Sequence, residues 1–175
     1  MARNRSVRYV DLGYNTAREY WEETGLPAHQ RFIEQGSRQT AIEACLHAWH
    51  VHEWCWHELN PGSDTHGNKA YLAYREDIVE QCPELEWVRD VADASKHRGL
   101  GRSGEVMGVH NKRKAILSVG GKPLSFSGTL VSVDVGVSLE LTDGTKPALS
   151  DVLNTVVKFW SERFGCAPAA GSAPP

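Results

Sequence analysis

His50, Glu53 and His57 stand at i, i+3 and i+7, and Asp90, Asp93 and His97 repeat that offset forty residues later. Side chains at these intervals share one face of a helix, because about 3.6 residues complete a turn. Two such faces, rich in imidazole and carboxylate, could ligate a metal, move protons or meet across a subunit contact. The same residue types also make ordinary solvated helix faces.

The metal reading takes His50, Glu53, His57, Asp90, Asp93 and His97 as ligands of a divalent ion. Helical bundles build such centres from Glu-x-x-His motifs on facing helices. Here the order is His50-x-x-Glu53 followed by Glu53-x-x-x-His57, so the ligand types fit while the motif differs. A second chemistry comes from Lys96-His97-Arg98-Gly99-Leu100-Gly101-Arg102, a basic helix terminus punctuated by glycine. Cations at a helix C-terminus are stabilised by its partial negative charge. The same cations can grip phosphates, with His97 as proton donor or acceptor. Lys112, Arg113 and Lys114 add positive charge beyond the loop.

The elements that must position these groups can be read from periodicity and punctuation. Asn15 and Thr16 can cap a short helix from Ala17 to about Thr24, which Gly25 is expected to stop. Pro27 suits the first turn of a second helix ending near Gln35. Ser37 is the expected cap of the longest helix, Arg38 to Leu59, with Ile42, Cys45, Trp49, His52, Trp56 and Leu59 as its buried stripe. Helices are expected from Lys69 to Gln81 and from Pro83 to His97. On the second of these, Leu85, Trp87, Val88, Val91 and Ala92 define the core arc, and Asp90, Asp93 and His97 fall roughly opposite it. Leu100 to Lys112 reads as a glycine-rich loop. Strand patterning follows, from Lys114 to Val119 and, with clean alternation, from Thr129 to Leu141. Asp143-Gly144 turns the chain, and Pro147 opens a last apolar helix.

The fold class expected from this pattern is mostly α or α+β: a helical bundle over 15–99, a β-hairpin region over 113–142 and a returning C-terminal helix over 147–165. These form one domain, 1–166, followed by an Ala/Pro/Gly/Ser tail, 167–175, expected to be disordered.

Trp49-His50-Val51-His52-Glu53-Trp54-Cys55-Trp56 and Arg89-Asp90-Val91-Ala92-Asp93-Ala94-Ser95-Lys96-His97 together resemble a group of small bacterial proteins whose bundle is similar to HEPN domains. These are helical ribonucleases of toxin and defence systems. The resemblance spans about Arg38 to Arg102. It implies RNA as the target, a homodimer, and cleavage without metal or other cofactor. Arg89 would be the phosphate ligand or transition-state stabiliser and His97 the acid/base, with Lys96, Arg98 and Arg102 on phosphates. Arg89 and His97 have seven residues between them, whereas the family's Arg and His are characteristically separated by roughly four to six.

Bulk properties set the remaining bounds. The 175 residues include 41% hydrophobic and 23% charged side chains, enough for a proper core. A formal charge of −3 gives no global attraction to nucleic acid, so any such binding needs a local patch. Cys45, Cys55, Cys82 and Cys166 form no C-x-x-C pair and read as reduced thiols of a cytoplasmic protein. No apolar run suits a membrane span or secretory leader. No nucleophile elbow, P-loop or dinucleotide fingerprint occurs. Trp49 and Trp56 lie on the buried stripe, whereas Trp54 points away from it. Trp54 is therefore the candidate contact for a protein partner if the chain is a non-catalytic interaction module.

Overall fold

The computed structural model describes residues 13–96, 104–111 and 136–166, together with backbone strand segments between 114 and 134. Helix α1 (Ala17–Tyr20) is capped by the Thr16 hydroxyl, which accepts from the Glu19 amide. A π-helical turn, Trp21–Gly25, then carries the chain without a break into α2 (Leu26–Gln35). The expected stop at Gly25 is thus absent. Gly25 has helical φ and ψ, and its missing side chain makes room for the buried Trp21 ring. The real stop is Gly36, left-handed at φ 60°.

Ser37 caps α3 (Arg38–Leu59) by accepting from the Thr40 amide. The Asn68 side chain caps α4 (Lys69–Gln81) by accepting from the Ala70 and Tyr71 amides. Helix α5 (Glu84–Lys96) follows after Cys82-Pro83. These three helices keep the boundaries that their caps and breakers predict, within a residue or two.

The segment expected as a loop contains strand β1 (Val106–Asn111), so the β region begins earlier than residue 113. It pairs antiparallel with β8 (Val137–Leu141), with Val109 opposite Leu139. Between them lie β2 (Lys114–Ile116), β3 (Ser118–Val119), β4 (Lys122–Pro123), β5 (Ser125–Phe126), β6 (Thr129–Leu130) and β7 (Ser132–Asp134). β2 pairs with β7, β3 with β4 and β5 with β6, all antiparallel. Each pair is a two-stranded sheet: in chain order β2–β7 nests within β1–β8, and the β3–β4 and β5–β6 hairpins lie within β2–β7. Of the alternating face expected over 129–141, Val137, Leu139 and Leu141 are buried. The side chains of Val131, Val133 and Val135 lie outside the described residues, as does the 167–175 tail.

The Asp143–Gly144 turn leads into α6 (Leu149–Phe164), which ends at left-handed Gly165. Helix α3 is the hub, packing on α2, α4, α5 and α6. Trp21, Ile78, Leu85, Leu139, Leu149, Leu153 and Trp160 are fully buried around it. Replacing one such leucine by alanine typically costs about 2–5 kcal/mol. The Trp160 indole N–H donates to the Ala48 carbonyl at 3.0 Å, fixing α6 against the middle of α3. Two expectations of burial need correction. Leu59, expected in the buried stripe, lies at the end of α3 and is 67% exposed. Asp90 is 1% exposed, because the start of β1 covers the α5 face that the helical wheel assigns to solvent. Among the described residues no helix is long and apolar enough to cross a membrane.

Candidate functional site

A cleft of about 320 Å³ opens where α3, α4, α5 and the 65–67 turn meet. Its lining includes Trp49, His52 and Glu53 from α3, His66 from the turn, Tyr71 and Arg75 from α4, and Arg89 and Asp93 from α5. Residues four apart on α3 and α4 and at Arg89 and Asp93 on α5 reach the same space because each pair lies on one helix face.

His52 forms the floor of this cleft. Its Nδ1 meets the Trp49 carbonyl at 2.5 Å and its Nε2 lies 2.7 Å from the Tyr71 hydroxyl. The ring is tilted against the Trp49 indole and stacked on Tyr71. Burial, opposed by the Trp49 contact, lowers the His52 pKa to about 4, so the imidazole is neutral at pH 7. The Tyr71 oxygen also lies 3.3 Å from Glu53 Oε1. Burial first, and Glu53 second, push the Tyr71 phenol up from its ordinary value.

Two guanidiniums enter from the α4 and α5 sides. Arg89 lies 5.6 Å from the Trp49 ring centroid, within cation–π range. It also contacts Glu86 at 3.3 Å and Asp93 at 3.6 Å, both long for ion pairs. Arg75 meets no carboxylate at ion-pair distance among the described residues. Burial and then the like charge of Arg89 both disfavour its cation, lowering its pKa.

Beyond Asp93, the same α3–α5 seam reaches the end of α5. Lys96 Nζ donates to His50 Nε2 at 2.8 Å. Burial first and Lys96 second lower the His50 pKa, while Glu53 and Asp93 act on it in the opposite sense. The polar flank of α3 and the cationic terminus of α5 therefore face one another.

The sequence candidates separate clearly. Arg89, Glu53 and Asp93 line the cleft, and His50 and Lys96 meet along its continuation. His97, Arg98 and Arg102 lie outside the described residues. Asp90 does not join the others. Its Oδ2 accepts from the Glu105 and Val106 amides at 2.7 and 3.0 Å, an anchor for β1. Among the described residues no three His, Cys, Asp or Glu side chains converge to hold a metal ion, and His97 of the six-residue ligand set lies outside them. Trp54 is half-buried, stacked on Tyr20 at 4.8 Å and edge-on to Tyr14, so it packs within the fold instead of projecting from it. The four cysteines are free, and burial raises the Cys55 thiol to about 11.

Sequence reasoning did not single out Tyr71, Arg75 or His66. His52 did carry a signal, as a polar side chain set between two tryptophans on an otherwise apolar stripe. No protein-family model, curated protein or solved structure matches the chain.

Proposed function

We propose that the chain is a HEPN-like, RNA-directed protein that grips phosphates along the α3–α5 seam and cleaves the strand without a metal. The observation that carries this reading is the Lys96–His50 contact, which draws the cationic end of α5 onto the polar flank of α3. Arg89 and Lys96 stand seven residues apart, so both lie on that face of α5. In this reading Arg89 and Lys96 bind phosphate oxygens, and Arg98 and Arg102 extend the track. Arg89 offsets charge that develops on the phosphate, while His97 moves the proton. A second protomer completes the site.

The test uses a fluorescent single-stranded RNA in the presence of chelator. Wild type is expected to bind and cleave it. Lys96→Ala weakens binding and lowers the salt dependence by about one phosphate contact. His97→Ala keeps binding and loses cleavage. Sedimentation of the wild type reads the dimer. Absence of RNA binding at low salt overturns the proposal, and wild-type cleavage by His97→Ala removes His97 from the mechanism.

A further inference from the structure

The cleft beside the seam sets Arg75, His66 and Tyr71, which the RNA reading does not use, around the Arg89 that it does. Arg75 reaches into it from α4 and Arg89 from α5, while His66 and the Tyr71 hydroxyl approach from the turn and the floor. Two like charges line one open, partly buried cleft, and Arg75 has no ion-pair partner among the described residues, although Glu86 and Glu76 partly offset the effect of Arg89 on it. Each guanidinium disfavours the other, and an anion bound between them would relieve that repulsion. The Arg89 contacts to Glu86 and Asp93 are long enough for a better acceptor to compete.

We infer that this cleft binds a phosphate group, clamped between Arg75 and Arg89. Phosphate fits better than carboxylate because the donors come from three elements around the space. A tetrahedral group can accept from all three directions, whereas a planar carboxylate accepts in one plane. Planar forked donors such as arginine suit phosphate oxygens in pairs. The Trp49 ring behind Arg89 holds that guanidinium in place, reducing the ordering needed on binding. Glu53 and Asp93 also line the cleft and disfavour anions, so the inference depends on the two arginines outweighing them. It shares Arg89 with the RNA proposal and goes beyond it through Arg75, which is absent from the Lys96 track, while Lys96 is absent from the cleft lining.

The experiment titrates inorganic phosphate, at constant ionic strength, into wild type, Arg75→Gln and Lys96→Ala, with calorimetry and thermal shift as readouts. Wild type and Lys96→Ala are expected to bind with equal affinity and to be stabilised by phosphate. Arg75→Gln is expected to lose about tenfold or more in affinity. The wild-type thermal shift needs no variant, so a misfolded Arg75→Gln protein leaves the inference testable. Acetate at matched concentration serves as the carboxylate probe, and equal stabilisation by acetate overturns the phosphate assignment. No wild-type binding of millimolar phosphate, or undiminished binding by Arg75→Gln, overturns the site itself. Titration with a short RNA bearing or lacking a 5′ phosphate then distinguishes a strand end from a free phosphate as the source. Phosphate binding by a wild type that binds no RNA leaves this inference standing while the RNA proposal falls, and RNA binding without phosphate binding does the reverse.

Discussion

His52 Nε2 lies 2.7 Å from the Tyr71 hydroxyl, and the far side of the ring fixes the direction of that hydrogen bond. A carbonyl oxygen only accepts, so Nδ1, against the Trp49 carbonyl, carries the ring proton. A neutral imidazole then leaves Nε2 bare, and Tyr71 donates to it. The hydroxyl has one proton, so it cannot also donate to Glu53 while it serves His52. Protonation of His52 reverses the relationship: Nε2–H donates to the phenol oxygen, and the phenol proton turns to Glu53. Tyr71→Phe removes the shared hydroxyl and leaves a buried acceptor unsatisfied. The expected loss is about 1–3 kcal/mol of stability, read by urea denaturation.

The same histidine makes stability depend on pH. Its pKa is lowered from 6.5 to about 4 in the fold, chiefly by burial. A base depressed in this way binds its proton more readily when unfolded. Its contribution is fully present above pH 6.5, declines as pH falls toward 4, and is gone below the folded value. The change amounts to at most about 3.5 kcal/mol, each unit being worth about 1.4 kcal/mol. Denaturation midpoints measured across this window should fall in wild type and fall less in His52→Gln.

Asp90 tests the link between helix and ribbon. Its buried carboxylate accepts from two backbone amides, and charge-assisted bonds of this kind are the stronger ones. Asp90→Ala is expected to cost about 2–4 kcal/mol by leaving both donors without that acceptor. Hydrogen exchange at Glu105 and Val106 should accelerate before exchange in α3 does.

Gly25→Ala sets two effects against each other. Alanine in a helix is favoured over glycine by about 1 kcal/mol. A Cβ here, however, would stand 2.1 Å from the Trp21 ring, which is fully buried and has nowhere to retreat. Overpacking wins, with a net loss of about 1–3 kcal/mol. In a Trp21→Leu background the same substitution should become neutral or stabilising, as thermal unfolding of the four proteins of the cycle would show.

Much of the helical frame was legible because its signals are local. Ser37 and Asn68 announce α3 and α4 through their own side chains, and Asn60-Pro61-Gly62 closes α3. What escaped the sequence depends on partners distant along the chain. Gly25 looks like a helix stop until the Trp21 ring is seen above it. Gly104 and Gly108 suggest a loop, yet β1 is held by pairing with β8 some thirty residues later. Asp90 seems solvent-facing on a wheel that cannot show the amides of 105 and 106 arriving. The cleft shows the same limit. Its α3 half carries a visible oddity in His52, whereas Arg75 sits on α4 without any motif and acquires meaning only beside Arg89.

The indole of Trp160 and the carbonyl of Ala48 join positions 112 residues apart. Closing a loop of this length costs chain entropy that contacts within one helix do not. During synthesis the central helix emerges well before its final neighbour exists. The hub of the bundle thus has its α6 face covered only once residues 149–164 have been made, and closing that clasp carries an entropy cost that winding a single helix does not.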